Sequence, residues 1–496
     1  MPGRVRRNTK VTTSCRTPLR RHSTEWPSIA NTSSILVPAL TRHDTLLPEY
    51  AEQVTLPASI APLAEVRSRF WLRNWASFTL FTMFAGQFLR NLIGYPGYYV
   101  VAVAVGVGGA IVVLSVYRPN WNWRRVPKSA FAFVGFATLS VLWSFYPGVS
   151  ALAAASTWAT GTVGVALVLV LSWPEFVRCF AVSLRWHLAL GLLFELWVAL
   201  FVRAPLLPNF VHYEGKIPMS FYWTRDLLFH GGPIDGIVAN KNLFGFVALL
   251  ALIVFCIQLA AKTVRRGPGI FWITVAVVAL LLTRSATVFV ALIGVALVLT
   301  FALWMRRRPP ARRAPVYLTA LGVAVAGSAL VWIARAPLLG LLGKSDDFTG
   351  RFTIWDTVAN LAAQRPVFGW GWTSYWAPWV KPFNDLVVIK GVTYLQAHNT
   401  WLDVWMQLGV IGLILFIALV GSTMWRSWFL AVDRPTIHPD QQLPYGFTTL
   451  LPLLLVTALV VQSFAESRLL IEGNLALLIG LAFVTKRQFW RGEVWP

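Results

Sequence analysis

Four nitrogen-bearing side chains stand where polar sequence meets an apolar run. Lys241 lies in IVANKNLFGF between Asn240 and Asn242, Arg284 in LLTRSATVFVAL, Arg351 in TGRFTIW, and His398 in YLQAHNTWLDVWMQLGVIGLILF. Arginine offers a planar fork of donors that matches phosphate or carboxylate oxygens. Lysine beside amides offers further donors to phosphate or sugar oxygens. Histidine exchanges protons near neutral pH, so a neutral ring can take a proton from a hydroxyl. Each residue also has a plainer reading. Arg284 can snorkel to headgroups. Asn can cap the helix at whose outer start Lys241 stands, with the lysine snorkelling. Asp346 or Asp347 can pair with Arg351, and His398 can be a satisfied polar residue ahead of a helix. The other histidines stand apart: His22 and His43 near the N-terminus, His187 inside an apolar run, His212 and His230 in one loop, and His438 in another.

The elements that must hold these residues follow from composition. Of 496 residues, 56% are hydrophobic and 13% charged, against about a quarter charged in a typical soluble protein. Several runs approach or exceed the ~20 apolar residues that cross a bilayer as a helix. They are apolar on all faces, whereas barrel strands alternate. The fold class is therefore all-α, a polytopic membrane protein. Spans are expected at about 74–92, 96–117, 129–146, 150–172, 180–202, 237–260, 269–283, 286–305, 316–335, 399–422, 446–463 and 468–485.

About twelve spans put both termini on one side, and the placement of charge identifies it as cytoplasmic. Much of the net charge of +23 lies in short clusters between apolar runs: Arg118–Arg125, Lys262–Arg266, Arg306–Arg313 and Lys486–Arg491. Basic residues in short loops mark the cytoplasmic face, so the charge reads as topology and lipid contact rather than nucleic-acid binding. Four segments result: a basic, disordered cytoplasmic tail (1–70), N-terminal membrane helices with a first outer loop (71–235), a core with a long outer loop at 336–397 (236–422), and C-terminal membrane helices (423–496). The tail has no apolar stretch after its basic start, so it does not read as a cleavable signal peptide. Cys15, Cys179 and Cys256 are scattered and read as inert fillers.

Inside the long loop, Ile354, Trp355, Val358 and Leu361 recur at helical spacing. This is the pattern of an amphipathic helix lying at the membrane surface. Arg365-Pro366 ends it, and VFGWGWTSYW follows with turn glycines and tryptophans suited to the interface. Arg351 would open this helix, where a cation opposes the helix dipole, so it calls for an anionic partner. Arg284, Arg351 and Lys241 are then three cations on the same outer side as His398. No H-E-x-x-H and no cluster of histidines with carboxylates appears. Asp346-Asp347 is a lone acidic pair. No internal repeat of the kind seen in two-fold transporters is evident.

Together these pieces resemble the O-antigen ligase / Wzy polymerase superfamily of bacterial membrane glycosyltransferases. The resemblance covers roughly 235–422 and rests on GIVANKNLFG, TRSATVFVALIG, GRFTIWDTVANLAAQRPVFGWG and AHNTWLDVWMQLGVIGLILF. The NKN form resembles the exopolysaccharide-production branch. The resemblance implies a multi-pass protein of the bacterial cytoplasmic (inner) membrane that acts on its outer face. A glycan would move from a polyprenyl-diphosphate donor to an acceptor hydroxyl on a lipid, glycan or protein. It implies His398 as catalytic base and Arg284 and Arg351 as diphosphate ligands, with Lys241, Asn242 and Asn399 as further substrate contacts. It implies no cofactor and no metal. The alternative is a transporter or flippase for polysaccharide-lipid, without catalysis; a scaffold in an export complex is a third reading. With arginines supplying the charge that a metal would otherwise give, transfer is expected to survive EDTA. Complete loss restored by Mg²⁺ or Mn²⁺ would instead make Asp346 and Asp347 the leading site residues.

Overall fold

The computed structural model describes residues 63–117, 123–209, 217–333, 345–389, 392–433, 436–438, 441–442 and 445–491. Most of the 1–70 tail, with Cys15, His22 and His43, lies outside these residues, as do His212 and the side chains of Asp346 and Asp347. The helices are α1 (Leu63–Phe84), α2 (Gly86–Tyr117), α3 (Lys128–Leu139), α4 (Pro147–Val170), α5 (Trp173–Trp197), α6 (Lys241–Ala260), α7 (Arg266–Thr283), α8 (Ala286–Arg306), α9 (Ala314–Ile333), α10 (Ser345–Gln364), α11 (Thr400–Val432), α12 (Leu451–Ser463) and α13 (Glu472–Arg491). Two minimal antiparallel ribbons, Val388–Ile389 with Val392–Thr393 and Thr436–His438 with Gln441–Gln442, are the strands among the described residues. The protein is all-α and membrane-spanning. Seven helices among the described residues are long and apolar enough to cross a bilayer: those starting at Gly86, Pro147, Trp173, Lys241, Arg266, Ala286 and Thr400. Three further apolar helices are shorter.

Four expectations are corrected. The helix expected at 74–92 is instead broken between Phe84 and Gly86. The loop helix begins at Ser345, so Arg351 sits in its second turn and the dipole argument does not apply to it. Its apolar stripe also faces protein rather than lipid. Ile354, Val358 and Leu361 are buried in a cluster with Trp376, Phe383 and Met406. The nearby tryptophans follow suit: Trp372 and Trp376 are fully buried rather than interfacial. The reason is that their indole N–H groups find internal acceptors: Trp372 donates to Thr157 Oγ1 at 3.0 Å and Trp376 to Asp403 Oδ1 at 2.7 Å.

What brings these tryptophans inside is a break in α11. Gly409 has φ 65° and ψ −170°, so the helix is interrupted within its apolar length. A broken helix frees backbone groups that apolar surroundings cannot satisfy. The segment after α10 supplies the partners. Val410 N–H donates to Pro366 O at 2.8 Å, while Trp370 and Gly371 donate to Met406 O and Gln407 O at 3.1 and 2.9 Å. The approach requires glycine: a β-carbon at Gly409 would run into the Val367 carbonyl. Residues 366–371 and the break thus form one unit, which ties the end of α10 to the start of α11.

Basic residues at the end of α8 and in the loop after it also have structural tasks. Arg306 donates to Ala431 O at 2.6 Å, and Arg313 donates to Val432 O at 2.9 Å and pairs with Asp433. These arginines cap the last carbonyls of α11, where a cation complements the helix dipole.

Candidate active site

Three of the residues singled out in the sequence meet on a carboxylate that was not. Glu466, in the turn between α12 and α13, is 4% exposed. Its Oε2 lies 3.0 Å from His398 Nδ1. Its Oε1 accepts from Asn242 Nδ2 at 2.9 Å and from Arg351 at 3.3 Å. The start of α6, the second turn of α10 and the approach to α11 are thereby drawn to one anion.

Burial alone would raise the Glu466 carboxyl, but His398, Arg351 and the Asn242 amide outweigh it and hold it at about 2. Glu466 is therefore ionised and can only accept hydrogen bonds. In a neutral imidazole, His398 must then carry its proton on Nδ1, which leaves the Nε2 lone pair open. This is the division of labour by which a buried carboxylate orients a histidine base.

The backbone around His398 is held from several sides. His398 has φ 50°, a left-handed conformation uncommon outside glycine. Just before it, Ala397 donates its N–H to Asp403 Oδ2 at 3.0 Å, and its carbonyl accepts from Trp355 Nε1 at 3.0 Å. Just after it, Asn399 caps α11 by accepting from the N–H groups of Trp401 and Leu402 at 3.0 and 3.3 Å. Asn399 N–H donates to Ser467 Oγ at 3.1 Å, and Thr400 Oγ1 donates to Glu466 O at 2.9 Å. Strain of this kind persists only where the surroundings over-determine it.

The remaining expected residues fall as follows. Asn242 carries a relay, since its Oδ1 accepts from Ser285 Oγ at 2.7 Å while its amide serves Glu466. Arg284 precedes that serine, ends α7 in a left-handed conformation (φ 48°) and is exposed. Among the described residues its guanidinium has no hydrogen-bond or ion-pair partner. Lys241 is half-buried and its N–H donates to Asp235 Oδ1 at 3.1 Å. Asn240 caps α6 by accepting from the N–H groups of Asn242 and Leu243. Among the described residues Arg351 has an anionic partner in Glu466, on a different element from Asp346 and Asp347. Among the described residues, no three His, Cys, Asp or Glu side chains group as a metal site.

Fold and site together define a membrane protein in which a histidine and an arginine meet on one buried carboxylate where its helices begin and end. Residues 269–417 match the O-antigen ligase family model. That central segment is thus similar to the O-antigen ligase family, in agreement with its motifs. Over 249 residues, 45% of the chain, it is 27% identical to the "Exopolysaccharide production protein ExoQ" of Rhizobium meliloti (strain 1021). Over 75 residues, 14% of the chain, it is 36% identical to the "Putative polysaccharide ligase" of Rickettsia felis. The chain spans 54% and 18% of the lengths of these two relatives.

Glu466 lies beyond the segment matched by the family model. Its signal in the sequence is an acid in VVQSFAESRLLIEG, between two apolar runs. An ionisable residue in such a place is a functional candidate by default.

Because its carboxyl is held low, Glu466 contributes stability that is present above about pH 4.5 and lost as pH falls toward 2. Glu466→Gln keeps the shape and leaves Arg351 without its anion, a loss of roughly 3–5 kcal/mol for a broken buried pair. Melting temperatures followed across pH are expected to fall more steeply with acid in the wild type than in Glu466→Gln. Parallel acid limbs would show that the carboxylate is not held as described.

Proposed function

We propose that the protein is a metal-independent membrane glycosyltransferase, an O-antigen ligase-like enzyme or a polysaccharide polymerase. It moves a glycan from a polyprenyl-diphosphate donor to an acceptor hydroxyl at the outer face of the cytoplasmic membrane. The observation that carries this reading is the His398–Glu466 pair with Arg351 on the same carboxylate. The family match and the relatives named for exopolysaccharide production and polysaccharide ligation support it.

In this reading, His398 Nε2 takes the proton of the acceptor hydroxyl as its oxygen attacks the anomeric carbon. The bond from that carbon to the diphosphate oxygen breaks, and the lipid diphosphate leaves with the electron pair. Diphosphate needs no protonation to leave, but the charge it gathers needs fixed cations. Arg284, exposed and with its donors open, is the first of these, and Arg351 the second. Glu466 keeps His398 in the required tautomer and stabilises the imidazolium that forms. Asn242 keeps Glu466 in place, and Lys241 stands at the same helix start. A single displacement inverts the anomeric centre. A carrier without chemistry has no need of an imidazole held in one tautomer, which weighs against the flippase alternative.

His398→Ala is expected to insert normally and still bind the lipid-linked donor. Its turnover should fall by about 10²–10⁴-fold, the usual contribution of a general base. Single-turnover transfer from a labelled lipid-linked glycan measures this. A variant that loses donor binding instead would make His398 a phosphate ligand, and one that keeps both binding and transfer would remove it from the site.

A further inference from the structure

A second ionic group lies on the same turn as Glu466 and has no part in the reaction as described. Glu472, at the start of α13, accepts from Arg90 at 2.7 Å, Tyr98 Oη at 3.2 Å and Arg468 at 3.4 Å. The two arginines are unequally served. Arg90 also donates twice to Gln87 Oε1, at 3.3 and 3.1 Å, and lies 4.6 Å from the centre of the Tyr98 ring. Among the described residues Arg468 makes one hydrogen bond, its long contact to Glu472, and stands near the Tyr375 hydroxyl, although its side chain is just 15% exposed. Two guanidinium groups on one carboxylate leave one positive charge. Arginine cannot shed it, and an under-paired charge away from bulk water is unfavourable.

Glu472 cannot close the gap. Its backbone is left-handed, with φ 51°. Its carboxylate is wedged against the start of α2, where a β-carbon on Gly86 would lie 2.5 Å from Oε1. The turn that carries Arg468 is also held in place. Ser467 accepts from the N–H of Asn399, beside His398, and Leu470 O accepts from Ser374 Oγ at 3.3 Å. Arg468 thus sits two residues from Glu466 on a braced turn, with most of its donors making no hydrogen bond to the described residues.

We propose that Arg468 binds an anionic oxygen of the substrate, beside the reacting centre and separate from the Arg284 and Arg351 contacts. Two sources carry that chemistry: a phosphate of the lipid-linked donor, or the carboxylate of an acidic sugar in donor or acceptor. The inference rests on the glycosyltransferase reading given above. Glu472 acts as a counter-ion that is too distant to satisfy Arg468 and so leaves it available.

Binding of inorganic diphosphate and of glucuronate to the full chain in detergent tests this by calorimetry, with Arg468→Gln, Arg468→Lys and Arg284→Gln compared. Arg468→Gln is expected to weaken one probe roughly tenfold or more, the scale of a charged hydrogen bond, and Arg468→Lys to weaken it less. Weakened diphosphate assigns the donor phosphate; weakened glucuronate alone assigns the acidic sugar. If Arg284→Gln weakens diphosphate while both Arg468 variants bind the two probes like wild type, the inference is overturned and the donor reading stands. A wild type that binds neither probe overturns both. Melting curves confirm that each variant is folded, and Arg468→Lys carries the comparison should Arg468→Gln not be.

Discussion

The site depends on one buried carboxylate. Glu466 is 4% exposed and ionised, and an anion in that position must be surrounded by donors to exist. His398, Arg351 and Asn242 are those donors, and each arrives from a different element. Removing any one leaves the others facing a charge that is less well compensated. The same electrostatics bears on geometry and chemistry: the anion orients the imidazole and, in a neutral ring, calls for the proton on Nδ1. It also brings a guanidinium to the same carboxylate as that imidazole.

The frame that lets these groups meet includes a broken helix. The interruption of α11 at Gly409 admits residues 366–371, and their backbone pairs with the freed groups of the break. This sets where α10 ends relative to where α11 begins, and hence where Arg351 lies relative to His398. Asp403, one turn into α11, reaches back to Ala397 and also receives Trp376. The left-handed backbone of His398 is held by this clamp on one side and by the Asn399 cap and the Ser467 hydroxyl on the other. Such bracing holds the His398 side chain in register.

Much of this was legible in the residues themselves. All-round apolar runs identify membrane helices because only an apolar surface is stable against lipid. The spacing of Ile354, Val358 and Leu361 identifies α10 because a helix repeats its face every three to four residues. Arg351 and His398 stand out because charge beside an apolar run calls for a partner. The identity of that partner was not legible: Glu466 is 115 residues from Arg351 and 68 from His398, and nothing local encodes that approach. The interior position of Trp372 and Trp376 was missed for a related reason. Tryptophan suits both an interface and a core, and the choice depends on acceptors contributed by Thr157 and Asp403. The break at Gly409 was hidden because a glycine in an apolar run reads equally well as part of a continuous helix.

The central claim is that Glu466 holds His398 with its proton on Nδ1 and its Nε2 free to act as a base. Nitrogen-15 NMR of the histidine-labelled protein in lipid bilayers, with His398→Gln used to assign the signal, reads this directly. At a pH where the ring is neutral, the account predicts a protonated Nδ1 and an unprotonated Nε2, with the Nδ1 signal perturbed in Glu466→Gln. A neutral ring protonated on Nε2, or a signal indifferent to Glu466→Gln, would contradict it.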